Sequence, residues 1–539
     1  MNQIRILPVY SKLTQSDPIV GVPQDISLRE HQVKTFDAIR NPDIDVVFNT
    51  AMTGDGKSLA AYLSAFTSDK SILAMYPTNE LIKDQERQVQ DYCNWFSQPV
   101  ACDKMFSDSL FELRTELKDL RGQKAAIEHL ALKNPILLTN PDIFNLIANF
   151  QYLNSKYENP DQLVQHVIDY YDLFVFDEFH IYDVSQVISV LTTMLYFIEQ
   201  GRGKWSQKKF VFLSATPNPL LLNCLEKANL RYKIIEGCYQ SDKQVSANWC
   251  KICASFDLHF HAVGYQTEVW VENHYQQIAK WFDENPSSRG AIIVNSVASA
   301  KRICTFLKER NEAGDFPLRV GENTGLSSQQ ERYVALHESD LLVGTSTVDV
   351  GVDFKINFLV FEAMDSGSWI QRLGRLGRHS EYEKTDGTVM KFERFVAHSL
   401  LPKYAYERVE KVIPANSEID KETLIDLMRN EDEDKRVFSP INDFRNYRQA
   451  WGWLHASHII NTLGHPRLRD NYASERKKLT WVYSYIFETD IEIRSTKLYF
   501  AVKKKQPEII EAGVIRFRGE SPFTCGILDK TDGKIKDYN

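Results

Sequence analysis

The sequence predicts an α/β protein: two doubly wound parallel-sheet domains in tandem, followed by a mainly helical C-terminal domain with a few strands. Three observations predict it. Short apolar runs rich in β-branched and aromatic residues recur through about residue 394. Amphipathic stretches of helical spacing separate those runs, and after about His398 the periodicity turns mainly helical. Continuous apolar runs between helices are what a parallel sheet covered on both faces requires.

In chain order, the runs at 45–48, 72–75, 136–138, 173–176 and 210–213 form one group, and those at 291–294, 341–343 and 358–361 a second. The grouping places a first domain at 1–230 and another at 287–398. Between them, 231–286 reads as a connector with strand-like alternation and then a helix over 274–282. The C-terminal domain, 399–539, shows helical spacing at 403–413, 421–428 and 443–460, with short strands expected from Ile491 onward. The acidic run 431–434 reads as a solvated loop.

Composition narrows the class. With 43% hydrophobic and 25% charged residues, the chain is neither a disordered tail nor a small disulfide-stapled domain. No apolar stretch approaches the roughly 18 residues of a membrane helix. The N-terminus lacks the pattern of a secretory signal, and eight cysteines without regular spacing point to a reducing compartment, so the cytoplasm is expected. Cys250 and Cys253 have C-x-x-C spacing, but only one close pair exists, so ordinary thiols are favoured over zinc. The net charge of −8 reads at first against a polyanion partner. Its distribution matters more. Residues 435–539 hold 19 Lys and Arg against 12 Asp and Glu, so a basic segment follows an acidic body.

Two motifs carry chemistry. Ala51-Met52-Thr53-Gly54-Asp55-Gly56-Lys57-Ser58 follows an apolar run and precedes a helical stretch, the context of a P-loop. Glycines let backbone N–H groups turn toward a phosphate, and the next helix adds its dipole. Thr53, Gly54, Asp55 and Gly56 would form the cradle, Lys57 would reach the β/γ-phosphates, and Ser58 would bind Mg²⁺. Ala51 stands where the general motif has a glycine, and a plain glycine turn is the alternative. The second motif, Asp177-Glu178-Phe179-His180, ends a buried run, where open α/β sheets bind ligands. Asp177 would hold Mg²⁺ through water, and Glu178 would polarise the attacking water.

Together these resemble motifs I and II of superfamily two helicases, whose two motor domains are RecA-like. The remaining motifs of that superfamily find counterparts in order. Arg29 and Gln32 resemble the adenine-reading Q motif. Thr78 lies in a likeness of motif Ia, Thr139 and Asn140 of motif Ib, and Ser214-Ala215-Thr216 of motif III. Ser296 belongs to a motif IV-like run, and Thr345, Gly351 and Asp353 to a motif V-like one. Gln371-Arg372-Leu373-Gly374-Arg375-Leu376-Gly377-Arg378 resembles motif VI, its arginines spaced to share a helix face. The resemblance implies ATP and Mg²⁺ as cofactors. It gives Gly351, Asp353 and Gln371 to the nucleotide and makes Arg375 and Arg378 arginine fingers. Thr78, Thr139, Asn140, Ser296 and Thr345 would hold the phosphates of a single strand.

Within the superfamily, the P-loop variant, the Asp-Glu-Phe-His box and the arginine box look like the CRISPR-associated signature helicase of type I interference. The match is best to the separate helicase subunit of type I-D systems. That implies 3′ to 5′ movement on single-stranded DNA opened by a surveillance complex. About 28 residues precede Arg29 and the sequence holds no His-Asp dipeptide, so the nuclease is expected on another subunit. An RNA helicase of the same superfamily and an ATP-gated clamp that recruits a nuclease are the alternatives. In the basic segment, Trp451, Trp453, Trp481, Tyr483 and Tyr485 either stack on bases or fill a helical core.

Overall fold

The computed structural model describes residues 2–15, 19–116, 122–152, 159–182, 184–201, 207–214, 219–241, 246–263, 267–345, 354–384, 386–430, 432, 434–439, 445–486, 496–517, 525–529 and 534–538. The chain forms two compact units. One comprises Thr14–Ala51, Gly56–Gly237 and Asp443–Asn539; the other comprises Met1–Leu13, Met52–Asp55 and Cys238–Asn442.

The first unit is built on a seven-stranded parallel sheet. Its order is Cys102–Met105, Ile136–Thr139, Ile72–Met75, Leu173–Asp177, Lys209–Leu213, Val46–Asn49, Tyr232–Ile235. The central strands are buried at every position, which is why they read as unbroken apolar runs rather than alternating ones. Phe174, Phe176, Phe210 and Phe212 stack across neighbouring strands and anchor the core.

The basic C-terminal segment joins this core. Helix Arg445–Leu463 and helix Ala473–Ile486 pack on helix Val184–Gly201. Tyr483 shares a hydroxyl hydrogen bond with Thr192, and Lys478 Nζ pairs with Glu199 at 2.7 Å. Where strands were expected from Ile491, the described residues instead form helix Thr496–Lys505. Tyr499 and Val502 recur at helical spacing and pack with Leu454, which favours helix over strand. A hairpin, Cys525–Asp529 with Lys534–Tyr538, follows.

The second unit holds an eight-stranded sheet. Strands Val320–Asn323, Leu341–Gly344, Gly290–Ile293, Phe358–Glu362, Val396–Pro402 and Phe256–Val263 are mutually parallel. Asn2–Ile6 adds antiparallel to Phe256–Val263. Two segments therefore sit elsewhere than the sequence suggested. The N-terminal strand belongs to this sheet, and residues 256–263 are a sheet strand rather than connector. Burial of Phe256, Leu258 and Phe260 explains the alternation seen there. Glu418–Ile419 pairs parallel with Asn2–Ile6 as the eighth strand, and the unit also holds a small sheet of Tyr239–Gln240, Val9–Lys12 and Trp249–Cys253 and a hairpin of Glu381–Glu383 with Val389–Lys391. No described helix is long and apolar enough to cross a membrane.

Candidate functional site

The chain leaves strand Val46–Asn49 of the first unit through the loop 50–56 and enters helix Lys57–Thr67. Gly56 caps that helix at φ +75°, and a Cβ there would lie 2.6 Å from Gln32 Nε2. Gln32, fully buried, donates to the Gly56 carbonyl at 2.9 Å and accepts from the Arg29 amide at 2.9 Å. The Q-motif pair is thus in contact with the glycine loop. Lys57 Nζ donates to the Ala51 carbonyl at 2.7 Å, arching over the loop, while Lys57 and Ser58 remain partly exposed.

Asp177 closes strand Leu173–Asp177 and is 7% exposed. Burial pushes its carboxyl up to about 7, the neighbouring Glu178 charge adds to this, and Lys57 opposes it. Glu178 sits at φ +51°, a left-handed conformation that is costly for a residue with a Cβ and typical of functional turns. His180 Nδ1 lies 3.4 Å from Glu178 Oε2 and 3.3 Å from Ser214 Oγ, linking the acidic box to motif III. Ala215 and Thr216 lie outside the described residues.

These groups fit a Mg²⁺–nucleotide. The buried Asp177, whose charge is penalised by burial and by the neighbouring Glu178, gains from a divalent cation. Mg²⁺ characteristically takes one or two protein oxygens plus phosphates and waters. Ser58 and Asp177 would hold it. Among the described residues no three His, Cys, Asp or Glu side chains converge as metal ligands.

The crown of the loop, Met52–Asp55, groups with the second unit. Asp55 is fully buried there. Its Oδ2 accepts from Ser11 Oγ at 2.9 Å and from the Tyr239 hydroxyl at 3.0 Å, and that hydroxyl accepts from the Met52 amide at 2.6 Å. Sequence reasoning missed Ser11 and Tyr239, and no local motif marks them. A Cβ on Gly54 would sit 3.3 Å from Arg378 Cδ, and one on Gly374 would sit 3.5 Å from Thr53 Oγ1.

The arginine box corrects one expectation. Helix Ser366–Leu373 stops before Arg375, so the three arginines do not share a continuous helical face. Arg375 and Leu376 are held by i→i−3 amide bonds, and Gly377 turns the chain at φ +81°. The Gly-rich spacing that aligns the arginines on paper also ends the helix. Arg372 is buried and structural: it donates to Asn295 Oδ1 at 2.7 Å and to the Glu362 carbonyl. Gln371, Arg375 and Arg378 are partly exposed. Gly351 and Asp353 lie outside the described residues.

The expected strand-gripping residues are mostly helix N-caps. Thr78 caps helix Asn79–Trp95, Asn140 caps Pro141–Ala148 and Ser296 caps Val297–Glu312, each accepting a backbone N–H. Helix N-termini attract phosphate. Asn140 Nδ2 also reaches Asn79 Oδ1 at 3.4 Å, which brings the Ia-like and Ib-like helix starts together. Thr139 differs: it is buried and donates its hydroxyl to the Met105 carbonyl at 2.7 Å. Thr345 is 5% exposed and follows strand Leu341–Gly344.

Comparison with known proteins matches two parts of the chain to family models. A DEAD/DEAH box helicase family model matches residues 29–222. A model described as CRISPR-associated nuclease/helicase Cas3, C-terminal, matches residues 286–381. The DUF1998 helicase MrfA bound to DNA and AMPPNP is 14% identical, with 94% of this chain and 62% of that one covered and a TM-score of 0.58. The Mycobacterium smegmatis helicase Lhr bound to ssDNA and AMP-PNP is 13% identical, covering 94% and 58%, with a TM-score of 0.52. A further MrfA–DNA structure is 15% identical, covering 79% of this chain and 55% of that one, with a TM-score of 0.55. The chain therefore spans little more than half the length of these structures, and at such identity the likeness is one of fold. No curated protein matches. The chain has the RecA-like fold of superfamily two helicases. It carries a DEAD/DEAH box helicase domain and, in its second half, a Cas3-like domain.

Proposed function

We propose that this chain is an ATP-dependent translocase or helicase on single-stranded DNA that serves type I CRISPR interference. In this reading it moves 3′ to 5′, as the separate helicase subunit of a type I-D system. A surveillance complex opens the target, and a nuclease subunit cuts it. The observation that supports the reading is Lys57 and Ser58 at a helix start in the same unit as the buried Asp177 and its neighbour Glu178. The Cas3-like match over 286–381 supports the CRISPR setting.

Mg²⁺, held by Ser58 and Asp177, would neutralise charge on the transferring phosphoryl group. The chain's own groups do the rest. Lys57 leaves the Ala51 carbonyl for the β/γ-phosphates. Glu178 orients the attacking water, and His180 reports its state to Ser214. Arg375 and Arg378 stabilise the developing charge, with Gln371, Gly351 and Asp353 on the nucleotide. Thr78 and Asn140 in the first unit and Ser296 in the second would each present a helix N-terminus to the strand, and Thr139 and Thr345 complete the set in their own units.

The test is ATP turnover with single-stranded DNA or RNA, and strand displacement from a 3′-tailed duplex. Stimulation by DNA with displacement is expected. Stimulation by RNA alone favours an RNA helicase, and stimulation without displacement an ATP-gated clamp. DNA incubated with the protein and Mg²⁺, Mn²⁺, Ni²⁺ or Co²⁺ should stay intact; cleavage rejects the separate-nuclease part.

A further inference from the structure

We propose that the outer face of helix Ala473–Ile486 is a stacking surface for the bases of a single-stranded nucleic acid, with Trp481 and Tyr485 as its platform. The inference rests on the nucleic-acid reading above and adds a contact outside the helicase motifs.

Helical spacing puts Ser474, Lys477, Trp481 and Tyr485 on one face. The opposite face buries Leu479, Val482, Tyr483 and Ile486 against the first unit's core. Trp481 is 59% and Tyr485 57% exposed. Their rings lie parallel to within 6°, with centroids 6.1 Å apart. A large aromatic pair left in water is unusual enough to ask what covers it.

Charge points to the occupant. Arg476 and Lys477 are exposed on this helix, and its one acidic residue, Glu475, is 5% exposed. Arg467 is exposed just before it, next to the exposed Arg469–Asp470 ion pair. Helix Thr496–Lys505, which like this one packs on Arg445–Leu463, exposes Phe500 one turn from Lys497 and Lys504, beside Lys503 and Lys505. Flat aromatic faces flanked by cations hold successive bases with little sequence preference. A membrane would require a broad aliphatic face. Here the residues around the pair are Ser474, Lys477, Thr480 and Ser484.

The structure also separates the candidate aromatics. Tyr483 is buried on Thr192, Trp453 packs against the core, and Lys478 is engaged by Glu199. The Trp451 side chain lies outside the described residues; among the described aromatics of the five, the stacking role falls to Trp481 and Tyr485.

The experiment titrates full-length protein into a labelled oligothymidylate, the matching oligouridylate and an abasic sugar-phosphate strand. Trp481→Ala and Tyr485→Ala should each weaken binding to the base-bearing strand roughly five- to hundredfold. Binding to the abasic strand should not change between wild type and variants. Trp481→Phe should retain most of the affinity and Trp481→Leu lose it, which separates stacking from loss of fold. The DNA and RNA arms identify the strand. Unchanged affinity in both alanine variants, with wild type binding well, overturns the inference and leaves the proposed function standing. No binding by wild type to either strand sinks the proposed function as well. Trp481-dependent binding to phosphatidylserine–phosphatidylcholine vesicles, without an effect on oligonucleotides, also overturns it.

Discussion

At the residue scale, Glu178 is the sharpest test of chemistry. Its left-handed backbone and its approach to His180 set the carboxylate at the end of the strand that bears Asp177. Glu178→Gln keeps the shape and removes the charge, so it should bind ATP and stall, holding nucleotide and strand together. Lys57→Ala should instead abolish turnover by weakening the phosphate grip. Rapid-quench and filter-binding measurements separate the two, and normal turnover in Glu178→Gln rejects its role. Tyr239 tests the loop's support. Tyr239→Phe deletes the hydroxyl shared by Asp55 and the Met52 amide, with an expected loss of about 1–3 kcal/mol in denaturant unfolding. A stability equal to wild type would show that the loop does not depend on this bond. Lys57, Ser58, Asp177 and Glu178 were legible because phosphate chemistry demands those residue types at that spacing. Tyr239 was not, because it meets Asp55 across 184 positions and only folding brings them together.

At the element scale, the helix starts carry the argument. Asn140 accepts the Ile143 amide at 2.9 Å and reaches Asn79, so one side chain fixes two helix N-termini. Asn140→Ala should cost about 1 kcal/mol of stability as a lost cap. On the proposed function it should also weaken single-strand binding beyond that, because the two helix ends proposed to meet phosphate lose their mutual register. Asn140→Asp restores the cap and introduces a negative charge, so it should recover stability but not binding. Equal recovery of both would reduce Asn140 to a structural cap. Periodicity made the strands and most helices legible, since full burial writes continuous apolar runs. It failed at two places for different reasons. The arginine spacing fits a helix, yet Gly374 and Gly377 end it. Around Tyr499, the short apolar run reads as strand until its packing on Leu454 is seen.

At the scale of the whole molecule, buried histidines make stability depend on pH. In the second unit His261 Nε2 lies 3.0 Å from His398 Nδ1, and the His259 and His398 rings stack at 4.9 Å. Burial, reinforced by His259 and His274, holds His261 down at about 3, and burial puts His398 well below its ordinary value. In the first unit burial lowers His455 to about 3 and His458 to about 4. The sequence showed 13 scattered histidines, and nothing in their spacing announced these pairs. Unfolded, each titrates near ~6.5. Below that pH the unfolded chain binds protons that the folded chain refuses, so stability present above about 6.5 is lost as pH falls. Each such histidine costs up to about 1.4 kcal/mol per pH unit in that window. Asp45, held below its usual range despite burial by the Arg231 hydrogen bonds and charge, titrates only in stronger acid, whereas Asp177, raised to about 7, takes up its proton first in the folded state and offsets part of the histidine loss. The melting temperature should therefore fall steadily from pH 7 to pH 5. In the double variant His261→Asn, His398→Gln the fall should be shallower, with His259, His455 and His458 supplying what remains. An unchanged slope in that variant would move the proton uptake away from the second unit's sheet.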